Sequence, residues 1–215
     1  MVLCDIGNTS AHFLDNGRSW KISTSEFNPE NYKEKIYFIS VNRKISEQIQ
    51  ESKLKNWIDL SQFVKIESEY KTLGIDRKVA ILNLENAIVI DAGSAVTIDI
   101  VKKSRHIGGY ILAGRLAIQK SYEIQTPHLK FRQNDKRLDL NELPNNTENA
   151  IFYGYLHQII SLIKEIKSNF KDLNLIITGG DGKLISEYFP ESEFREFLIF
   201  DNLREIIKDN FREKN

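Results

Sequence analysis

Three aspartates stand where chemistry is possible, because each lies close to a glycine: Asp5 before Gly7, Asp76 after Gly74, and Asp91 before Gly93. Asp5 follows the apolar run Val2-Leu3-Cys4 and opens Asp5-Ile6-Gly7-Asn8-Thr9. A strand that runs into a glycine turn presents such a carboxylate at its edge, beside backbone N–H groups freed by the turn. Those N–H groups can receive phosphate oxygens, and the Asn8 amide and Thr9 hydroxyl add donors. The carboxylate itself would repel phosphate, so its useful role is to hold Mg²⁺ or the ion's water shell. Taken alone, the motif is explained more simply by an Asx-turn that closes a loop.

The same design recurs at Val89-Ile90-Asp91-Ala92-Gly93-Ser94-Ala95-Val96-Thr97. Two copies in matching strand contexts point to two hairpins that clamp a nucleotide phosphate chain. Thr97 and Asp99 share one face of the following strand by alternation, and Asp99 reads as a solvated position. Gly74-Ile75-Asp76-Arg77 offers a carboxylate to take a proton from a substrate hydroxyl and a guanidinium to bind a substrate carboxylate. Taken alone, that segment is better explained by a helix-start aspartate with a solvated arginine. Thr178-Gly179-Gly180-Asp181-Gly182 follows an apolar run, and its glycines would let backbone approach a ligand closely; the helix start after it offers N–H groups. A plain strand–helix turn has equal standing, and the dinucleotide fingerprint Gly-x-Gly-x-x-Gly is absent. His12, His106, His128 and His157 are scattered without metal-ligand spacing and read as surface or locally bonded residues. The sequence contains neither a Gly-x-Ser-x-Gly elbow nor a phosphate-binding Gly-x-x-x-x-Gly-Lys-Ser/Thr loop.

The elements that must position these groups come as strands first and helices after, twice over. Each glycine turn joins antiparallel strands, Val2–Ile6 to Ala11–Leu14 and Val89–Asp91 to Val96–Val101. Third strands follow at Ser19–Ser23 and Gly109–Leu112. Helices are predicted over Lys44–Lys53, Asp76–Leu84 and Gly114–Tyr122. The strongest runs from Thr147 to Phe170, with apolar residues at helical spacing and Asn146 or Thr147 as its cap. A buried strand at Leu173–Ile177, a helix at Lys183–Tyr188, a strand at Phe197–Phe200 and a helix at Asn202–Phe211 complete the chain. This order predicts two similar α/β halves, residues 1–85 and 86–215, facing each other across a central cleft. The polar stretch Thr126–Asn146 reads as a long excursion or lid.

Composition excludes several classes. The chain of 215 residues carries 30 Lys+Arg against 30 Asp+Glu. A protein that grips duplex nucleic acid needs excess positive charge to displace counterions, so no nucleic-acid partner is expected. No apolar run approaches the roughly 20 residues of a membrane span. The start lacks the features of a signal peptide. The lone Cys4 allows no internal disulfide and reads as a small core residue. A cytoplasmic protein follows as the expectation.

In order, the segments Asp5-Ile6-Gly7-Asn8-Thr9, Gly74-Ile75-Asp76-Arg77, Asp91-Ala92-Gly93-Ser94-Ala95-Val96-Thr97, Gly108-Gly109-Tyr110-Ile111, Thr147-Glu148-Asn149-Ala150-Ile151 and Thr178-Gly179-Gly180-Asp181 resemble the bacterial type III pantothenate kinases. The resemblance spans nearly the whole chain. It implies the duplicated fold of the acetate kinase/Hsp70/actin type, with actin/ribonuclease H-like halves that each hold a mixed sheet. It also implies ATP-dependent phosphorylation of pantothenate, the first step of coenzyme A synthesis, by a homodimer that needs Mg²⁺ and a monovalent cation, K⁺ or NH₄⁺. Carried over, Asp76 is the general base, Arg77 holds pantothenate, Gly74 shapes that pocket, and Tyr70 contacts the substrate. Asp5 belongs to the phosphate and Mg²⁺ site, with Gly7, Asn8 and Thr9 lining the phosphates. Gly93, Ser94 and Thr97 flank them from the second half, and Gly179 and Gly180 approach the nucleotide. Asp91 and Thr147 ligate the monovalent cation, and the long helix 147–170 lies near the dimer interface. The sequence departs from the family pattern where Ser94 replaces a threonine and where His12 stands in place of a common basic residue. Two other readings stay open: a different small-molecule kinase or phosphatase of the same fold, and a non-catalytic nucleotide-binding regulator. The regulator would have no need of Asp76.

Overall fold

The structure is a computed structural model that describes residues 1–129 and 138–211. Residues 130–137, part of the polar stretch read as a lid, lie outside the described residues. The chain divides into two compact units. One comprises Met1–Asn83 together with the segment from Phe197 onward, and the other comprises Leu84–Glu196. The break between the units falls at Asn83/Leu84, and the segment from Phe197 onward groups with the N-terminal residues.

In the first unit, β1 (Val2–Ile6), β2 (Ser10–Asp15), β3 (Arg18–Ser23), β4 (Ile36–Ser40) and β5 (Trp57–Asp59) form a sheet of order β3-β2-β1-β4-β5. β1 to β3 are antiparallel neighbours, whereas β4 and β5 join as parallel strands. Strand alternation sends Val2, Cys4, Ile6, Ala11, Phe13, Ile36 and Phe38 to one face. There they pack with Ile45 and Ile49 of α1 (Arg43–Glu51) and with Trp57 and Phe27. Phe13 anchors this core, stacked on Trp20 and on Tyr32 at 5.1 Å between centroids; each such pair contributes about 0.5–1.5 kcal/mol beyond area burial. β1, between antiparallel β2 and parallel β4, is the central strand of this sheet, and all of its residues but Asp5 are buried.

The second unit repeats the design. β6 (Ala87–Ala92), β7 (Ala95–Lys102), β8 (Arg105–Ala113), β9 (Asn174–Thr178) and β10 (Glu193–Phe194) take the order β8-β7-β6-β9-β10. The first three are again antiparallel, and β9 and β10 again add as parallel strands. α4 (Thr147–Asn169) lays Phe152, Tyr155, Leu156, Ile159, Ile160, Ile163 and Ile166 over Ile88, Ile90, Val96 and Ile98 of this sheet. Asn146 caps α4, accepting the Asn149 N–H at 2.9 Å. α3 (Arg115–Gln125) precedes it, and α5 (Gly182–Ser186) follows β9.

One omission and two expectations need correction. The parallel strands β4 and β5, which complete the duplicated topology, are not among the elements read from sequence. Phe197–Phe200 is not a strand but leads into α6 (Leu198–Phe211). A four-residue apolar run fits either element locally; continuation through Leu203 and Ile206 gives one buried helical stripe. That stripe belongs to the first unit: Asn202 Nδ2 donates to the Val79 carbonyl of α2 (Ile75–Ala80) at 2.7 Å, and Phe200 meets His12 edge-on at 4.8 Å. Asp99 is not solvated. It is fully buried and hydrogen-bonds His106 Nε2 at 2.8 Å, so His106 is a core residue as well.

Candidate active site

β1 and β4 run parallel in the first unit, and the C-terminal end of β1 carries Asp5, Gly7, Asn8 and Thr9. Asp5 pairs with His12 across β2 and with Ile39 across β4. The turn beyond it is tied down on several sides. Gly7 N–H donates to Ser10 O at 2.9 Å, Thr24 Oγ1 donates to Asn8 O at 3.0 Å, and Thr24 N–H donates to Thr9 O at 3.0 Å. The Gly7 N–H is therefore committed inside the turn and not freed by it, while the side chains of Asn8 and Thr9 are exposed. His12, the departure from the family pattern, has its pKa lowered to about 4, by burial first and by the Lys21 cation second. At neutral pH it is an uncharged imidazole and supplies no positive charge.

Val41 connects this turn to the second predicted motif. Its N–H donates to Ile6 O at 3.0 Å, and its side chain lies against Gly74. Gly74 precedes α2, and the Asp76 carboxylate occupies the volume that a side chain at Gly74 would need. Asp76 Oδ1 accepts the Arg77 N–H at 2.8 Å. Arg77 is 5% exposed, which removes the solvated-arginine reading, and its guanidinium lies 5.2 Å from the Tyr70 ring centroid, within cation–π range. Tyr70, Gly74, Asp76 and Arg77 thus form one cluster beside the ends of β1 and β4. In open α/β sheets, ligands bind beyond the carboxyl ends of the parallel strands.

The second unit places its motifs in the same way, at the ends of β6 and β9. Asp91 lies in a cross-strand row with Thr97 of β7 and Thr178 of β9. Gly93 N–H donates to Ala95 O at 2.9 Å, the counterpart of the Gly7 bond. Gly179 has φ +89°, and a Cβ there would stand 2.5 Å from both Ala92 O and Asp91 Oδ1. The loop can lie on the hairpin turn only because residue 179 is glycine. Gly114 makes an equally close approach to Gly93 O and Ser94 O. Gly180 is exposed, and Thr147 is exposed in the first turn of α4.

Among the described residues, no group of three or more His, Cys, Asp or Glu side chains is arranged to hold a metal ion. Sequence reasoning missed the partly buried Arg115–Asp181 ion pair beside the Asp91 turn. Nothing in either local sequence marks it.

The sequence profile of type III pantothenate kinases matches residues 1–169. The type III pantothenate kinase of Sulfurimonas denitrificans is 41% identical over 97% of this chain and 98% of its own. The chain belongs to the type III pantothenate kinase family. The type III pantothenate kinase of Campylobacter jejuni is 38% identical, with 98% of each chain covered. A crystal structure from Campylobacter jejuni, described as a Baf family transcriptional activator, superposes with TM-score 0.84 at 37% identity and covers 98% of each chain. A 2-dehydro-3-deoxygalactonokinase protein of Sinorhizobium meliloti matches with TM-score 0.57 at 8% identity, over 100% of this chain and 98% of that one. That likeness is one of fold alone. The two α/β halves expected from the internal repeat are present as two five-stranded mixed sheets of matching strand order.

Proposed function

We propose that this protein phosphorylates pantothenate with ATP to give 4'-phosphopantothenate and ADP, the first step of coenzyme A biosynthesis, with Asp76 as general base. The observation that carries the assignment of roles is the cluster of Tyr70, Gly74, Asp76 and Arg77 beside the ends of β1 and β4. Arg77 suits the pantothenate carboxylate, because a planar guanidinium matches it with paired hydrogen bonds. Tyr70 flanks the guanidinium and the substrate. Asp76 orients the substrate hydroxyl and takes its proton as the oxygen bonds to the γ-phosphorus. The bond from that phosphorus to the bridging oxygen breaks, and ADP leaves. Little covalent chemistry falls to the protein, so positioning and electrostatics supply most of the acceleration.

Since the N–H groups of Gly7 and Gly93 are used within their own turns, these glycines shape the turns. Phosphate contacts then fall to Asn8, Thr9, Ser94 and Thr97, with Gly179 and Gly180 letting backbone approach the nucleotide. Asp5 would hold Mg²⁺, and Asp91 and Thr147 would hold a monovalent cation, K⁺ or NH₄⁺. When bound, these ions offset negative charge on the transferring phosphoryl group.

A homodimer completes the proposal. α4 spends its apolar stripe on its own sheet, so near the interface it contributes the exposed start of the helix. The apolar contact surface is supplied by Tyr110 and Ile111 of β8, the edge strand, and by Leu116 and Ile124 of α3, all exposed. The cytoplasm suits the single cysteine, Cys4, which is buried with its thiol pKa pushed upward by burial and by Asp5.

The regulator reading is kept in view by the description of the Campylobacter jejuni structure. A chain with no net charge has no general electrostatic attraction for duplex DNA. A coupled ADP-release assay with pantothenate and a panel of other alcohols, run in potassium, tests the proposal. Pantothenate-dependent ADP release is expected. ATP binding without turnover would favour the regulator, and turnover of another alcohol would favour a different kinase.

A further inference from the structure

The second unit contains an ion pair that none of these roles uses. Arg115 Nη2 donates to Asp181 Oδ1 at 2.6 Å, and the side chains are only 12% and 16% exposed. Arg115 begins α3 directly after Gly114, and Asp181 directly follows Gly179-Gly180. Both loops hold the same hairpin turn. Gly114 N–H donates to Ser94 O at 3.2 Å, and Asp181 N–H donates to Ala92 O at 2.9 Å. One loop therefore bonds the residue before Gly93 and the other bonds the residue after it, and the ion pair joins the two loops to each other. Tyr155 of α4 borders both charges. Its phenol is pushed up to about 12, by burial first and by the Asp181 carboxylate next, while Arg115 pulls the other way.

We propose that Arg115 and Asp181 are positioning residues whose ion pair clamps the Ala92–Ser94 turn in the geometry that receives the nucleotide phosphates. The inference rests on the reading of this turn as a phosphate site. A turn tied to each flanking loop by one backbone bond can shift with either loop. A largely buried, charge-assisted pair between the loops removes that freedom. Gly114 and Gly179 let both loops rest directly on the turn, since a Cβ at either would meet its backbone, so a small movement of either loop bears on the turn.

A positioning role and a charge role predict different signs. If Arg115 acted as a cation attracting phosphate, Arg115→Met would weaken ATP binding, and Asp181→Asn would strengthen it by releasing the arginine. If the pair acts as a clamp, both substitutions loosen the turn, and each raises the KM for ATP by about tenfold or more. The KM for pantothenate stays at its wild-type value. The double variant is no worse than the worse single, since one interaction is lost once. Amide exchange at Gly114 and Asp181 quickens in each variant. Should Arg115→Met fail to fold, Arg115→Lys carries the same reading, because its ammonium keeps the charge but not the planar donors. Opposite effects of the two single variants on the KM for ATP would overturn the clamp. So would activity losses that follow thermal unfolding temperature alone. Ser94→Ala separates this inference from the reading beneath it. A raised KM for ATP in Ser94→Ala but not in Arg115→Met sinks the clamp alone; no change in either sinks the phosphate role of the turn as well.

Discussion

Gly74 and Asp76 compete for one volume: a Cβ on Gly74 would stand 2.5 Å from Asp76 Oδ1. The glycine is the space in which the carboxylate rests, and the carboxylate is held there by the Arg77 N–H at 2.8 Å. This relationship ties the shape of the Gly-Ile-Asp-Arg segment to the position of the proposed base.

Asp76→Asn keeps the shape and the hydrogen bond to Arg77 but removes the base. Turnover should fall by about 10²–10⁴-fold, the usual contribution of a positioned acid or base, with the thermal unfolding temperature unchanged. Gly74→Ala should also lower kcat, by displacing the carboxylate without removing it. Steady-state kinetics beside thermal unfolding check both; wild-type turnover in Asp76→Asn would remove the base assignment.

Arg77→Met should raise the KM for pantothenate by roughly 10–100-fold, since a hydrogen bond to a charged group contributes about 1.5–3 kcal/mol. An analogue with the carboxylate capped as an amide should lose the same factor with the wild-type enzyme. It should lose little more with the variant. Independent losses would mean that Arg77 does not meet the carboxylate.

Replacing potassium with sodium should slow the wild-type reaction, and Asp91→Asn should abolish the difference between the two salts. Initial rates in matched ionic strength measure this. Equal wild-type rates in both salts would take the monovalent-cation role away from Asp91 and Thr147.

His12 gives a pH dependence of stability with a definite sign. Its folded pKa is lowered from 6.5 to about 4. Between those values the unfolded chain binds a proton at His12 that the native state does not, so stability rises with pH there. Acidification from pH 6.5 to about pH 4 should lower the unfolding temperature of the wild type, and His12→Gln should flatten part of that slope. Identical slopes for the two proteins would show that the burial of His12 is not felt in stability.

Much of the architecture was legible along the chain. The two Asp-x-Gly turns and their flanking strands are local patterns. Strand alternation and the conformational needs of a turn act over a few residues, so the repeat at Asp5 and Asp91 could be read directly. Gly74-Ile75-Asp76-Arg77 was visible as a motif, but by itself it read as well as a helix start with a solvated arginine, and the burial of Arg77 against Tyr70 has no local mark. α4 was readable because a long apolar stripe at helical spacing has one natural outcome.

The remainder depends on contacts between distant residues, which leave no local mark. α6 packs its stripe on the first unit because the chain returns there, and nothing near Phe197 records that destination. Asp99 and His106 meet because a register irregularity at Ile100/Val101 accompanies the β7–β8 pairing, and only the paired strands bury them. Arg115 and Asp181 are 66 residues apart and come together because two glycines bring their loops onto one turn. The sequence by itself determined the two glycine-turn hairpins, the long helix α4, the duplicated motif and the residue types available for chemistry, because short-range sterics and periodicity decide those. Only the tertiary structure decided which strands pair in parallel, where the last helix docks and which charges hold the turns in place, because those follow from packing across the fold.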